Sequence, residues 1–185
     1  MIPRHLLPLV LAVAGCAGFA VAADAPSASK VFDRQLSSTE REFVSLVEAM
    51  PADKFNFAPT NGDFHGVRTF RQQAMHAATV IKEVSSTMLG EKGPDMGRNE
   101  NGPESVASKE QVVAYVKEAF ALGHKAMGTL TNENLMQEIA DPFNPTKSRR
   151  TRVDSANILF WHTFDHYGQM VEYARMNNVV PPASR

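Results

Sequence analysis

The sequence predicts an all-α protein, a four-helix bundle preceded by an N-terminal signal segment. Three observations carry that prediction. Apolar residues recur at three-to-four spacing in four separate stretches of about 20 residues. No run shows the apolar/polar alternation of a half-buried strand, so no strand is expected. Helices of about 20 residues are about 30 Å long, and four of them share one core only by lying side by side.

Taken from the N-terminus, Arg4 and His5 form a short basic head. Leu6 to Val21 is an uncharged Leu/Val/Ala-rich run, and Ala20-Val21-Ala22 is an A-x-A cleavage pattern, so residues 1–22 read as an export signal. An exported, periplasmic protein is the expectation. Val13-Ala14-Gly15-Cys16 also resembles the lipobox of bacterial lipoproteins, which would make Cys16 a lipid-carrying first residue and tether the chain to a membrane. The apolar run falls short of the roughly 20 residues that span a bilayer. Residues 23–30, rich in Ala, Ser and Pro, read as a flexible lead-in to a bundle domain over residues 31–182.

The first helix is expected from Val31 to Met50, with Phe32, Leu36, Phe43, Leu46 and Val47 inward and Pro51 ending it. The second runs from Val67 to Leu89 and stops at Gly90. The third starts behind Ser108, whose hydroxyl and Gln111 have the spacing of a capping box. Thr151 and Asp154 suggest another box before the fourth helix, which continues to Met176 ahead of Asn177-Asn178 and Pro181-Pro182. A short helix is also admitted over Thr131 to Ile139. The Gly/Pro/Asn-rich stretch Gly90 to Pro103 is long enough to cross the length of the bundle, which would let the second and third helices run parallel.

Composition narrows the function. Of 185 residues, 43% are hydrophobic and 21% charged, which fits one globular domain. A formal charge of -1 supplies no broad basic face, so no nucleic-acid partner is expected. One cysteine excludes a disulfide framework and a thiolate zinc cage, so any metal site must use nitrogen and oxygen. No Ser/His/Asp set or catalytic cysteine offers another mechanism, and catalytic residues are not assigned.

His162 and His166, four apart on the fourth helix, rise from one face about 5–6 Å apart, near enough to share one metal ion. His76, between Gln73 and Val80 on one face of the second helix, is the best-placed third ligand. Neutral imidazoles suit zinc, nickel, copper or iron, with coordination positions left open. The spacing also fits a buried hydrogen-bonded pair or a surface coincidence, and with Thr163 after His162 it lacks the glutamate of H-E-x-x-H. Asp165 and Gln169 are candidates to support a ligand, His65 and His124 read as structural or surface histidines, and the methionines read as core filler rather than soft ligands. The basic run Lys147, Arg149, Arg150, Arg152 reads as a solvated loop or an anion-attracting site. Trp161 reads as packing between helices or as a dimer contact.

The stretch from Trp161 through His162, His166, Gly168 and Gln169 to Tyr173 and Arg175, with its proline-containing tail, resembles the C-terminal signature of DinB-like proteins. Met50-Pro51-Ala52-Asp53-Lys54 resembles the turn after that family's first helix, and Gln73-Ala74-Met75-His76 its second-helix histidine segment. The resemblance spans about Val31 to Pro182. It implies an up-down-down-up bundle with a divalent metal, commonly nickel or zinc, held by His76, His162 and His166. It also implies a small-molecule substrate, because characterised members include thiol-dependent transferases and isomerases, and it admits a homodimer, because dimers are common in the family. An export signal departs from that activity, since low-molecular-weight thiol cosubstrates are cytoplasmic. The expectation is a metal-dependent hydrolase or group transferase of unknown substrate, the alternative a non-catalytic metal- or ligand-binding bundle.

Overall fold

The computed structural model describes residues 26–185. The expected signal segment, Cys16 and the first part of the lead-in lie outside the described residues. Helix α1 spans Ala28–Ala49, and it begins three residues before the expected Val31 because Ser27 caps it, its side chain accepting from the Lys30 N–H. The Ala28 N–H, otherwise an orphan of the first turn, donates to Asn132 Oδ1 at 2.8 Å. Met50 is extended, as a residue before proline must be, and the chain turns through a 3-10 stretch at Ala52–Lys54.

Helix α2 spans Phe70–Leu89. Its start is later than Val67 because Thr69 and Gln72 form a full capping box that the apolar spacing does not announce. It ends at Gly90 in the left-handed conformation, φ 71°. Helix α3, Lys109–Met127, opens with the expected Ser108/Gln111 box. Helix α4 spans Arg152–Met176, and Thr151 caps it by accepting from the Asp154 N–H. The reciprocal half of that expected box is not formed; the aspartate side chain is one methylene shorter than the Glu or Gln of a full box.

Two expectations fail between α3 and α4. Instead of a helix over Thr131 to Ile139, the Thr131 and Asn134 side chains bond each other's backbone N–H groups and hold a turn. Strands are present as well: β1, Glu138–Ala140, pairs antiparallel with β2, Arg149–Thr151. The buried Asp141 organises their connection, accepting from Phe143 N–H, Ser148 Oγ and Arg150 Nε. This hairpin uses the basic run. Arg149 bonds the Glu138 carbonyl, Arg150 pairs with Asp141, and Arg152 reaches Gln137 and the Met88 carbonyl at the end of α2.

Side-chain contacts fix the helix directions. Thr79 meets Tyr115 and Lys82 meets Glu118, so α2 and α3 run parallel. His124 meets Asp33 whereas Lys117 meets Glu48, so α1 and α3 are antiparallel. Phe32 stacks on Phe160 and Tyr167 reaches Glu42, so α1 and α4 are parallel, and α2 opposes α4 through Arg152–Met88 and Tyr173–Arg68. The order is up-down-down-up, with α1 and α2 on one diagonal and α3 and α4 on the other. The segment between Gly90 and Ser108 therefore returns along the bundle, as its length allows.

Leu36, Phe43, Leu46, Ile81, Val116, Phe120, Leu159 and Met170 are all buried in one core. The helices meet at Gly123 of α3, where an added Cβ would lie 3.0 Å from Leu36, 3.4 Å from Leu159 and 3.6 Å from Ile81. Met75, Met88, Met127 and Met170 are buried among these apolar residues, and Met176 is exposed. No helix among the described residues is long and apolar enough to cross a membrane.

Candidate metal centre

Antiparallel α2 and α4 place His76 opposite His162 and His166, one turn apart on α4. The His162 Nε2 lies 3.2 Å from His76 Nε2 and 3.3 Å from His166 Nε2. One nitrogen from each ring falls within 4.8 Å of the others. His76 and His166 are buried, and His162 is half-buried.

The outer ring nitrogens decide what these inner nitrogens are. His76 Nδ1 faces the Glu100 backbone carbonyl at 2.9 Å, which only accepts, so this nitrogen carries the proton. His166 is fixed by a longer chain with one possible polarity. The Asp165 carboxylate accepts from Gln169 Nε2 at 3.3 Å, so Gln169 Oε1 is left to accept from Gln73 Nε2 at 2.8 Å. Gln73 Oε1 then accepts from His166 Nδ1–H. Both Nε2 atoms therefore present bare lone pairs to the same point. His162 can donate to only one of them, and its own Nδ1 is buried without a partner.

Three nitrogens crowded with their lone pairs inward are poorly satisfied by one another and well satisfied by a cation. Imidazole nitrogens about 2.0–2.1 Å from zinc at tetrahedral angles lie about 3.3 Å apart, which the two spacings to His162 match. The rings are also held in the ligand form. Burial first, then the neighbouring His166 and His76, pushes the His162 pKa down to about 3. Burial, then His76 and Arg68, brings His166 to about 4, and burial lowers His76 despite its bond to Glu100. All three are neutral at pH values where a free imidazole is still charged.

The sequence model of the DinB superfamily matches residues 35–170, three quarters of the chain and all three histidines. The chain belongs to the DinB superfamily. Among solved structures, a DinB-like protein from Bacillus cereus ATCC 10987 is similar at a TM-score of 0.65 and 15% identity, covering 83% of this chain and 95% of that one. A conserved protein from Enterococcus faecalis gives 0.63 and 17%, covering 82% and 98%. At those identities the likeness is one of fold. No curated protein sequence matches.

In this DinB-superfamily chain the remaining histidines lie elsewhere. His65 is on an exposed loop. His124 bridges α3 to Asp33 and Glu40 of α1, at 2.6 and 3.1 Å. Burial opposes its charge, yet the two carboxylates win and its pKa is raised. Trp161 is 60% exposed, with its ring edge-on to His162, and so does not fill the space between helices. Asp165 touches no imidazole within hydrogen-bond distance; it ends the chain that orients one. Gly168, part of the sequence signature, has open space where a Cβ would go, and nothing in the structure accounts for it.

Sequence reasoning missed Glu100 and the role of Gln73. Gln73 had a usable signal, since it sits three residues before His76 on the same face of α2. Replacing it with leucine keeps the helix but cuts the chain to His166. Metal affinity is expected to fall about 10- to 100-fold with one ion still bound at saturation. Competition with a metallochromic chelator reads this directly, and an unchanged constant would make Gln73 mere filler.

Proposed function

We propose that this chain is an exported metalloprotein that holds zinc or nickel through His76, His162 and His166 and acts on a small molecule by hydrolysis or group transfer. The observation that carries the reading is the convergence of two tautomer-fixed lone pairs and a third imidazole on one point. Among the described residues no carboxylate or cysteine joins this set, which leaves positions for water or substrate, as catalytic sites do and closed structural sites do not. A bound divalent ion would supply Lewis acidity and lower the pKa of a bound water.

The chain's own residues do the rest. Glu100 and the Gln73–Gln169–Asp165 chain hold two imidazoles in the ligand tautomer, and the surrounding apolar core keeps their charge off. The leader pattern over residues 1–22 supports export and with it a substrate outside the cytoplasm. A thiol-cosubstrate reaction fits that address poorly.

The test is elemental analysis of protein purified without chelator or nickel affinity resin, followed by esterase, amidase and phosphatase assays and group-transfer assays on the loaded form. About one ion per chain with turnover that a chelator abolishes supports the reading. One ion per chain and no turnover favours the non-catalytic alternative. No ion, even after reconstitution, ends the metal reading and leaves a ligand-binding or structural bundle.

A further inference from the structure

Beside the three histidines lies a charge that the metal reading does not use. Arg68, two residues before the start of α2, is held through its side chain by the loop that also holds His76. Its Nε donates to Asn101 Oδ1 and its Nη2 to the Asn99 carbonyl, both at 2.9 Å. The intervening Glu100 supplies the carbonyl bonded to His76 Nδ1. Three consecutive residues thus hold both a guanidinium and a ligand imidazole. The backbone is strained to do so: Asn99 and Glu100 are both left-handed, at φ 53° and 58°. Gly97 passes so close to the Gly102 carbonyl that any side chain there would collide.

Arg68 has no carboxylate within 4.0 Å among the described residues, although its charge acts on all three imidazoles. The Nη1 atom of the guanidinium makes no hydrogen bond there, and Arg68 lines a polar cavity of about 300 Å³ with Gln72, Asn99 and Asn101, on the other side of the 99–101 segment from that segment's bond to His76. A dication on neutral imidazoles together with Arg68 carries three positive charges. The nearby acids are Glu100, 3.9 Å from His76, and Asp165, which offset two of them. One charge is left for a ligand to neutralise.

We propose that Arg68 is a substrate-binding residue and that the substrate carries an oxyanion, a carboxylate or a phosphonate-like group. The guanidinium's free edge takes the anion in the two-pronged geometry that arginine offers oxyanions, within reach of the charge that an ion on the histidines would add. This rests on the metal reading and names the class of substrate for the same site. The anion's place is set by the 97–102 loop, so that loop fixes both a metal ligand and the substrate anchor.

The experiment uses the protein loaded with cobalt(II), whose visible absorption reports its ligands, with metal content measured separately for every sample. Acetate and methylphosphonate are titrated in, with acetamide as the neutral probe. Saturable binding of either anion, weakened about 10- to 100-fold in Arg68→Gln and partly restored in Arg68→Lys at unchanged metal content, supports the proposal. Which anion binds more tightly identifies the group. Arg149→Gln, on the far hairpin, leaves the titration unchanged. Equal binding of acetamide, no binding of either anion, or indifference to Arg68→Gln in a fully loaded protein overturns the proposal and leaves the metal reading standing. A parent that takes up no cobalt overturns both.

Discussion

His162→Ala and His166→Ala are each expected to bring bound metal from about one ion per chain to none, with the helical circular dichroism of the parent retained. Each imidazole supplies one of three convergent nitrogens, and no acidic or cysteine side chain among the described residues is placed to substitute for it. The loss must exceed the roughly 10- to 100-fold that a merely supporting residue costs. Folding is expected to survive, because removing one ring relieves a crowd of facing lone pairs while the apolar core residues of all four helices are kept. His124→Ala separates this from a general histidine effect. It breaks the ties to Asp33 and Glu40 across α1 and α3 and leaves metal content intact. Equal metal content in all three variants would remove the triad from consideration.

Phe43→Ala is expected to cost about 3–5 kcal/mol of folding stability, the range for emptying a fully buried phenylalanine site. Phe43 and Phe120 are both 0% exposed and their rings lie 6.0 Å apart, joining α1 to α3 at the core. Neither helix carries a metal ligand, so the variant should still bind one ion per chain wherever it is folded. Urea denaturation with chelator present measures the loss without the ion's own contribution. Val31→Ala, at a position 38% exposed at the edge of the same helix, should change stability by less than about 0.5 kcal/mol. A Phe43→Ala loss no larger than that of Val31→Ala would mean that the bundle does not depend on this contact.

What could be read from the residues follows from how much each element buries. The four helices declare themselves because each lays an apolar stripe on a shared core, and Ser108, Gly90 and Pro51 mark ends by side-chain and backbone rules that act locally. The strands do not, because three residues such as Arg149-Arg150-Thr151 bury too little to impose a period of two. Hydrogen bonding decides that hairpin, above all around Asp141. The site divides in the same way. His162 and His166 are legible as a pair by spacing, and His76 by its face. Glu100 acts through a carbonyl that every residue possesses, so no residue type could announce it. The bond between Gln73 and Gln169 joins positions 96 apart and exists only once α2 and α4 are docked.

That docking has a further consequence. His76 and His162 are separated by 86 positions along the chain. An ion held between them ties a long loop shut, as a cross-link does, and the entropy removed from the open chain grows with loop length. A chain with no disulfide framework would thereby have a reversible staple across two of its helices, one that closes or opens with the supply of the ion. The durability of this chain against heat and proteases would then report how much metal its surroundings contain.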